Sequence, residues 1–427
     1  DINEEWISDK TRYACDGLKN QRIDNPYLKI NNKFEKKNWD EVYKKIVEKI
    51  KNTSPNKISG VIGDLTNMET TFIVKEFFNK IIKSNYLDSR EENYYVNIND
   101  RKNYIFNDSI NGIEKSDLIF LIGTNPRYEA TILNARIRKA YLKNKTEIFS
   151  FGNVGDLTYP YKILGNSTNE IKKIFDDKSE LSEKIKKSKR PMIIIGQSML
   201  KLKSAKFVFE GFKKYLIENN KISDEWTSLN ILSNNASTVG SYDLEVLDNE
   251  LEKNKTLDLI KNNEFEVIFL IGQDNLKINK KNEFIIYVGS HGDFGAEIAD
   301  VVLPGAAFTE QDGYFTNLEG KIQKSFKASY PPGESKEDWQ IFNELSALIK
   351  RKEIFKDKSE LVDSMINFLN INKKNNFNDF IETEFIDEEI ILNNIDYYYS
   401  NVVSRASKTM NDCRNEKINK KKTGTNG

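Results

Sequence analysis

The chain has 427 residues, with 65 Lys+Arg against 65 Asp+Glu and a formal net charge of +0. That balance removes the electrostatic ground for a general nucleic-acid or anionic-membrane binder. No apolar run reaches the roughly 20 residues of a membrane span. With two cysteines and one histidine, neither a four-iron cluster, which takes four Cys, nor a structural zinc, which takes four Cys/His ligands, can be built from this chain alone.

In chain order, residues 1–37 read as irregular, with Gly17, Pro26 and a basic stretch at Lys33–Lys37. Trp39, Val42, Tyr43, Ile46, Val47 and Ile50 then recur at helical spacing. Asn38 suits the N-cap, and Asp40 and Glu41 suit the first turn. Ile58–Gly63 reads as a strand and turn, and Met68–Ile82 as a second helix. The same grammar recurs in Asp117–Gly123, Pro191–Gly196, Glu266–Gly272 and Phe284–Val288. Continuous apolar runs that end at Gly or at a polar turn, often before a helix, predict a doubly wound parallel α/β sheet. Leu118–Asn125 and Val267–Asn275 resemble each other as an internal repeat, so two Rossmann-like sheets are expected. The Lys-rich Ser182–Lys189 is expected to mark the boundary between them. The predicted parts are a connecting segment over 1–56, a first Rossmann-like domain over 57–185 and a second over 186–300. A return segment packing on the first domain covers 301–360, with helix over Trp339–Ile349. A C-terminal extension covers 361–427, and its polar, basic end, 415–427, is expected to be disordered.

Gly123-Thr124-Asn125-Pro126 ends a strand and opens a helix, with Asn125 at the N-cap and Pro126 at the first helical position. The helix start suits a phosphate, and Arg127 can add a bidentate contact. The plainer alternative is that every parallel strand must turn into its helix, and Gly with a cap does so at least cost. The full G-x-G-x-x-G fingerprint is missing at every strand end. His291, in Gly289–Asp293, reads as a hydrogen-bonded loop anchor, since no G-x-S-x-G elbow offers it a nucleophile. Asp300 and Glu310 read as capping or ion-pairing carboxylates and Cys15 as an inert thiol. No catalytic or metal-ligating residue is assigned.

Several segments, in order from near residue 9 to about 410, resemble one family. Asp9-Lys10-Thr11-Arg12-Tyr13-Ala14-Cys15-Asp16-Gly17-Leu18 is similar to the entry into the C-terminal region of the large iron–sulfur subunit of NADH:ubiquinone oxidoreductase, respiratory complex I. Gly123-Thr124-Asn125-Pro126-Arg127-Tyr128-Glu129-Ala130, continuing through Asn134–Lys139, resembles its most recognisable stretch. Asp156–Tyr159, Leu164-Gly165, Gly292–Ala296, Ala299–Ala307, Thr309-Glu310, Asn317–Gly320 and Ser404–Ser407 agree in turn. Residues 299–321 resemble the wider molybdopterin oxidoreductases, with Lys321 where Arg is usual.

The resemblance implies a molybdopterin-oxidoreductase-like pairing of the two Rossmann-like sheets, from which the cofactor has been lost. It makes Gly123, Asn125, Pro126 and Arg127 relics of a cofactor-binding turn. Glu129, Asn134, Arg136 and Arg138 would belong to the same relic and now hold domains together. It further implies a structural, itself non-catalytic module of the complex I peripheral arm. Such a module supports the cluster-bearing part and partners other peripheral-arm subunits, on the matrix side of the mitochondrial inner membrane. The iron–sulfur clusters would then lie upstream of Asp1 or on a partner chain. The alternatives are an active molybdopterin oxidoreductase and a Rossmann-like nucleotide-binding module.

Overall fold

A computed structural model describes residues 4–247, 255–371, 377, 380–381 and 383–419. Its strands are β1 Tyr27–Ile30, β2 Lys33–Lys36, β3 Ile58–Ile62, β4 Leu87–Asp88, β5 Leu118–Ile122, β6 Glu147–Phe151 and β7 Lys162–Ile163. β8 Pro191–Gly196, β9 Leu229–Leu232, β10 Val267–Ile271, β11 Phe284–Gly289, β12 Val301–Pro304, β13 Gly313–Thr316 and β14 Ile322–Ser325 follow. They form a seven-stranded sheet in the order β2-β1-β12-β11-β10-β3-β4, a five-stranded sheet in the order β7-β6-β5-β8-β9, and the hairpin β13-β14.

The central strands are parallel and buried along their whole length, as in β3, β5, β8 and β10. This explains their largely apolar sequences, interrupted by Ser59 and Gly60 in β3, because crossover helices cover both faces of such a sheet. Helices seal the cores. Trp39–Lys51 starts with a full capping box between Asn38 and Glu41 and buries Val42, Tyr43, Ile46 and Ile50. Met68–Glu76 widens into a second segment, Phe77–Ile82, whose Phe77 meets Phe269 of β10 and Phe342 edge-on. Phe342 belongs to the helix Asp338–Lys350, which closes the same core with Ile341 and Leu345.

Sheet membership differs from the expected division at residue 186. β3 pairs in parallel with β10, Ile58 opposite Val267, and β8 pairs with β5, Leu118 opposite Pro191. The chain thus begins one sheet, leaves after β4 to build the whole five-stranded sheet over residues 118–232, and returns for β10–β12. A buried parallel strand carries the same apolar pattern whichever sheet it joins, so local sequence names the strand and not its partner. The expected boundary Ser182–Lys189 is mostly helix, Glu180–Lys187. Its Ile185 is buried in the five-stranded core, and several of its lysines pair with acids at the surface.

Residues 4–37 are more ordered than expected. Asn31 and Asn32 take φ +49 and +61, turning β1 into β2, and β1 runs antiparallel along β12. Two positive-φ residues between short strands are a recognised hairpin signal, and the basic strand suits an exposed sheet edge. In the C-terminal tail, residues 415–419 end the helix Lys408–Asn419; the remainder of the expected disorder, 420–427, lies outside the described residues.

Candidate functional site

The carboxyl ends of strands from both sheets open onto one cleft. Asp64 and Leu65 after β3, Asn275 after β10, Tyr128 and Glu129 after β5, Gln197 after β8, and Asn234 and Asn235 after β9 line two adjoining recesses of about 440 and 760 Å³. Open α/β sheets place ligands here, where strand order reverses. In both sheets that point is closed by glycine. Between β3 and β10, a Cβ on Gly63 would stand 1.7 Å from the Gly272 carbonyl oxygen. Between β5 and β8, a Cβ on Gly196 would stand 2.4 Å from the Thr124 side chain and 2.6 Å from the Gly123 carbonyl oxygen. Gly123 itself needs φ +59 and abuts Met199.

The Gly123–Pro126 turn is built as expected, with Asn125 accepting from the Arg127 N–H at 3.2 Å and Pro126 at the first helical position. The helix lasts only from Pro126 to Glu129, breaks at Ala130 with φ −147, and restarts as Thr131–Asn144. The donors that would meet a phosphate are taken. The Thr124 hydroxyl donates to Glu129 Oε2 and the Asn125 N–H to Glu129 Oε1, both at 2.8 Å. Burial raises the Glu129 carboxyl pKa, while these two bonds oppose the rise. Arg127 faces away, donating to the Asp156 carboxylate and carbonyl, each at 2.7 Å. The turn therefore does not fit a phosphate of a bound molybdenum cofactor: an anion there would displace or face the chain's own carboxylate.

The rest of the cleft is no more favourable to a polyanion. Lys10, Lys201 and Arg405 are offset by Glu91, Glu92, Glu129 and Asp396. Arg405 is held by Asp293 at 2.5 Å and Asn275 at 3.0 Å. Burial, with Asp293 nearby, pushes the Asp274 carboxyl up to about 7. Among the described residues no group of three or more His, Cys, Asp or Glu could hold a metal ion.

Most of the other residues singled out in the sequence are engaged in hydrogen bonds or ion pairs within the chain. Asn134 donates to the Leu157 carbonyl at 3.1 Å and accepts from the Tyr159 hydroxyl at 2.7 Å. Arg136, only 3% exposed at its side chain, pairs with Glu114 and with Glu4 of the N-terminal segment. Arg138 is exposed. Asp300 pairs with Lys280, Glu310 pairs with Arg22, and Cys15 is an exposed free thiol at the rim of the larger recess. Sequence reasoning misses Glu129 as the occupant of the turn. Its spacing, four residues beyond Asn125, is the available signal.

His291 is fully buried and ties the loop after β11 to the N-terminal segment. Its Nε2–H donates to the Gly17 carbonyl at 2.9 Å, and its Nδ1 accepts from the Ser290 hydroxyl at 2.8 Å. Gly17 also lies against the Val403 backbone, where a Cβ would stand 2.0 Å from the carbonyl oxygen. Burial pushes the His291 pKa down to about 4, so the ring is neutral in the fold. A base whose pKa falls on folding stabilises above its unfolded value, near 6.5, and loses that contribution as pH drops toward 4. Against His291→Gln, which cannot titrate, the native chain is expected to lose roughly 3 kcal/mol of relative stability between pH 7 and 4. Urea midpoints across that range measure it, and a pH-independent difference would rule out a neutral buried imidazole. Asp274 and Asp338, both raised to about 7, act in the opposite direction, which is why the comparison is between variants.

Residues 22–348 match the profile described as molybdopterin oxidoreductase. The chain belongs to the molybdopterin oxidoreductase family. Residues 1–16 of this family member match the NADH-ubiquinone oxidoreductase NDSU1/NuoG-like 4Fe-4S domain. The chain is 36% identical to the NADH-ubiquinone oxidoreductase 75 kDa subunit of Reclinomonas americana, over 97% of its own length and 63% of that protein. It is 35% identical to the mitochondrial NADH-ubiquinone oxidoreductase 78 kDa subunit of Candida albicans, over 97% of its own length and 59% of that protein. It thus spans about three fifths of the length of these relatives. Among solved structures, acetylene hydratase from Pelobacter acetylenicus superposes with a TM-score of 0.50 at 12% identity, over 92% of this chain and 71% of that one. A chain of the formyltransferase/hydrolase complex from Methylorubrum extorquens gives 0.56 at 10% identity, over 76% of this chain and 99% of that one. Both likenesses concern the fold.

Proposed function

We propose that this chain is a structural module of the peripheral arm of respiratory complex I. It carries no redox centre and supports the iron–sulfur cluster-bearing part of the large subunit, whether on the same polypeptide or on a partner chain. The observation that carries this reading is Glu129: its carboxylate holds the donors of the turn that would otherwise take a cofactor phosphate. Gly123, Asn125, Pro126 and Arg127 then survive as relics that brace the turn and its neighbouring loop.

The N-terminal segment supports the second half of the proposal. Its match to a cluster-binding domain ends at residue 16, next to the Gly17–His291–Val403 joint that fixes it to the fold. Trp6, Ile7 and Tyr13 of the same segment are exposed large apolar side chains, which an adjoining cluster-bearing part can cover. The partners are other subunits of the peripheral arm. The location is the matrix face of the mitochondrial inner membrane, held peripherally; among the described residues no helix is long and apolar enough to cross a membrane.

Depletion of the chain in its native cells is expected to remove the peripheral arm from complex I on native electrophoresis, and NADH-dependent activity staining with it. A fully assembled, active complex in depleted cells would contradict the supporting role.

A further inference from the structure

The two crossings between the sheets meet around a small cavity. Segment 89–117 carries the chain from β4 to β5, and segment 233–243 leads back from β9 through the helix Thr238–Asp243. That helix reaches the first core, with Gly240 against Met68 and Thr316. The crossings are clasped by direct bonds. Arg101 holds Asp243 with two bonds, at 2.8 and 2.6 Å, the Tyr104 hydroxyl donates to Asp243 at 2.9 Å, and the Tyr94 and Tyr242 hydroxyls bond each other at 2.6 Å.

One side chain in this clasp is left over. Asn103 is 3% exposed, yet neither its Nδ2 nor its Oδ1 has a protein partner among the described residues. It lines a cavity of about 30 Å³ together with Asn234, whose buried Oδ1 is likewise unpartnered while its Nδ2 donates to Gln197. Tyr94, Tyr104, Tyr242 and Phe209 supply much of the remaining wall. The hydroxyls of the three tyrosines are already bonded within the protein, so the demand in the cavity comes from the two amides.

Buried amides are almost always satisfied, and a polar cavity needs about 10–15 Å³ for each water it holds. We propose that this cavity is a binding site for two ordered waters that bridge Asn103 to Asn234 across the crossings. The amide of Asn103 offers both a donor and an acceptor, which a short water chain matches and an apolar filling does not. The pair of crossings is thereby a hydrated joint rather than a dry, close-packed one. An apolar cavity of this kind would instead stay dry and accept xenon.

The test is a structure of the native protein, within its assembly, at a resolution that shows ordered water, with a parallel data set under xenon pressure. Two density peaks in contact with Asn103 Oδ1 or Nδ2 and reaching Asn234 Oδ1, with no xenon, are the expected result. A dry cavity, xenon in place of water, a direct protein partner for the Asn103 amide, or density larger than two waters would each overturn the proposal.

Discussion

Asp88→Ala is expected to destabilise the chain by about 3–5 kcal/mol. Asp88 lies on β4 and Arg90 two residues later; both side chains are wholly buried. Asp88 Oδ1 accepts from the Arg90 N–H at 2.7 Å and from Nε at 3.1 Å, and Oδ2 accepts from the guanidinium at 2.8 Å. Removing the carboxylate leaves a guanidinium in the interior with the Tyr94 carbonyl, at 3.3 Å, as its remaining acceptor among the described residues. Replacing both residues by apolar ones of similar volume restores most of the loss, because the uncompensated charge and not the missing attraction sets the cost. A surface pair is the control: Lys184 and Glu147, 37% and 51% exposed, contribute under about 1 kcal/mol. Urea unfolding followed by circular dichroism distinguishes the two. An Asp88→Ala loss no larger than that of Lys184→Ala would show that the pair is not buried as described.

Gly63→Val is expected to cost about 4 kcal/mol or more and to yield mostly insoluble protein. The first side-chain atom alone would sit 1.7 Å from the Gly272 carbonyl oxygen, which belongs to the adjoining strand end and cannot rotate away. Relief requires β3 and β10 to separate where the sheet reverses order. Gly155→Ala is the informative contrast. Gly155 has φ +69 but nothing within 4 Å of the added carbon, so only backbone strain remains, about 1–2 kcal/mol. Thermal melts of soluble fractions rank the two, and equal losses would mean that the strand ends are not in contact.

The strands were legible because a parallel strand covered on both faces reads as an apolar run, unbroken in Leu118–Ile122 and Val267–Ile271 and interrupted by Ser59 and Gly60 in Ile58–Ile62. Their partners were not, since Ile58 and Leu118 carry no mark of which sheet they enter; the insertion of one sheet within the other is a long-range fact. The hairpin of residues 27–36 was missed because its strands are short and its outer strand fully exposed, leaving only the Asn31-Asn32 turn as a signal. At the cleft, Asn125 and Pro126 had recognisable capping roles. That Glu129 turns back to accept from the Thr124 hydroxyl and the Asn125 N–H is signalled by its spacing alone, because the arrangement depends on the break at Ala130 that ends the first helical segment after four residues. His291 as a loop anchor was legible in kind, but its partner, Gly17, lies 274 residues away.

The most direct test of the central claim is metal analysis of complex I purified with this chain in place. If the Glu129 carboxylate has taken the position of the cofactor phosphate, molybdenum and tungsten should both fall far below one atom per chain. One molybdenum or tungsten per chain, retained through purification, would contradict the account.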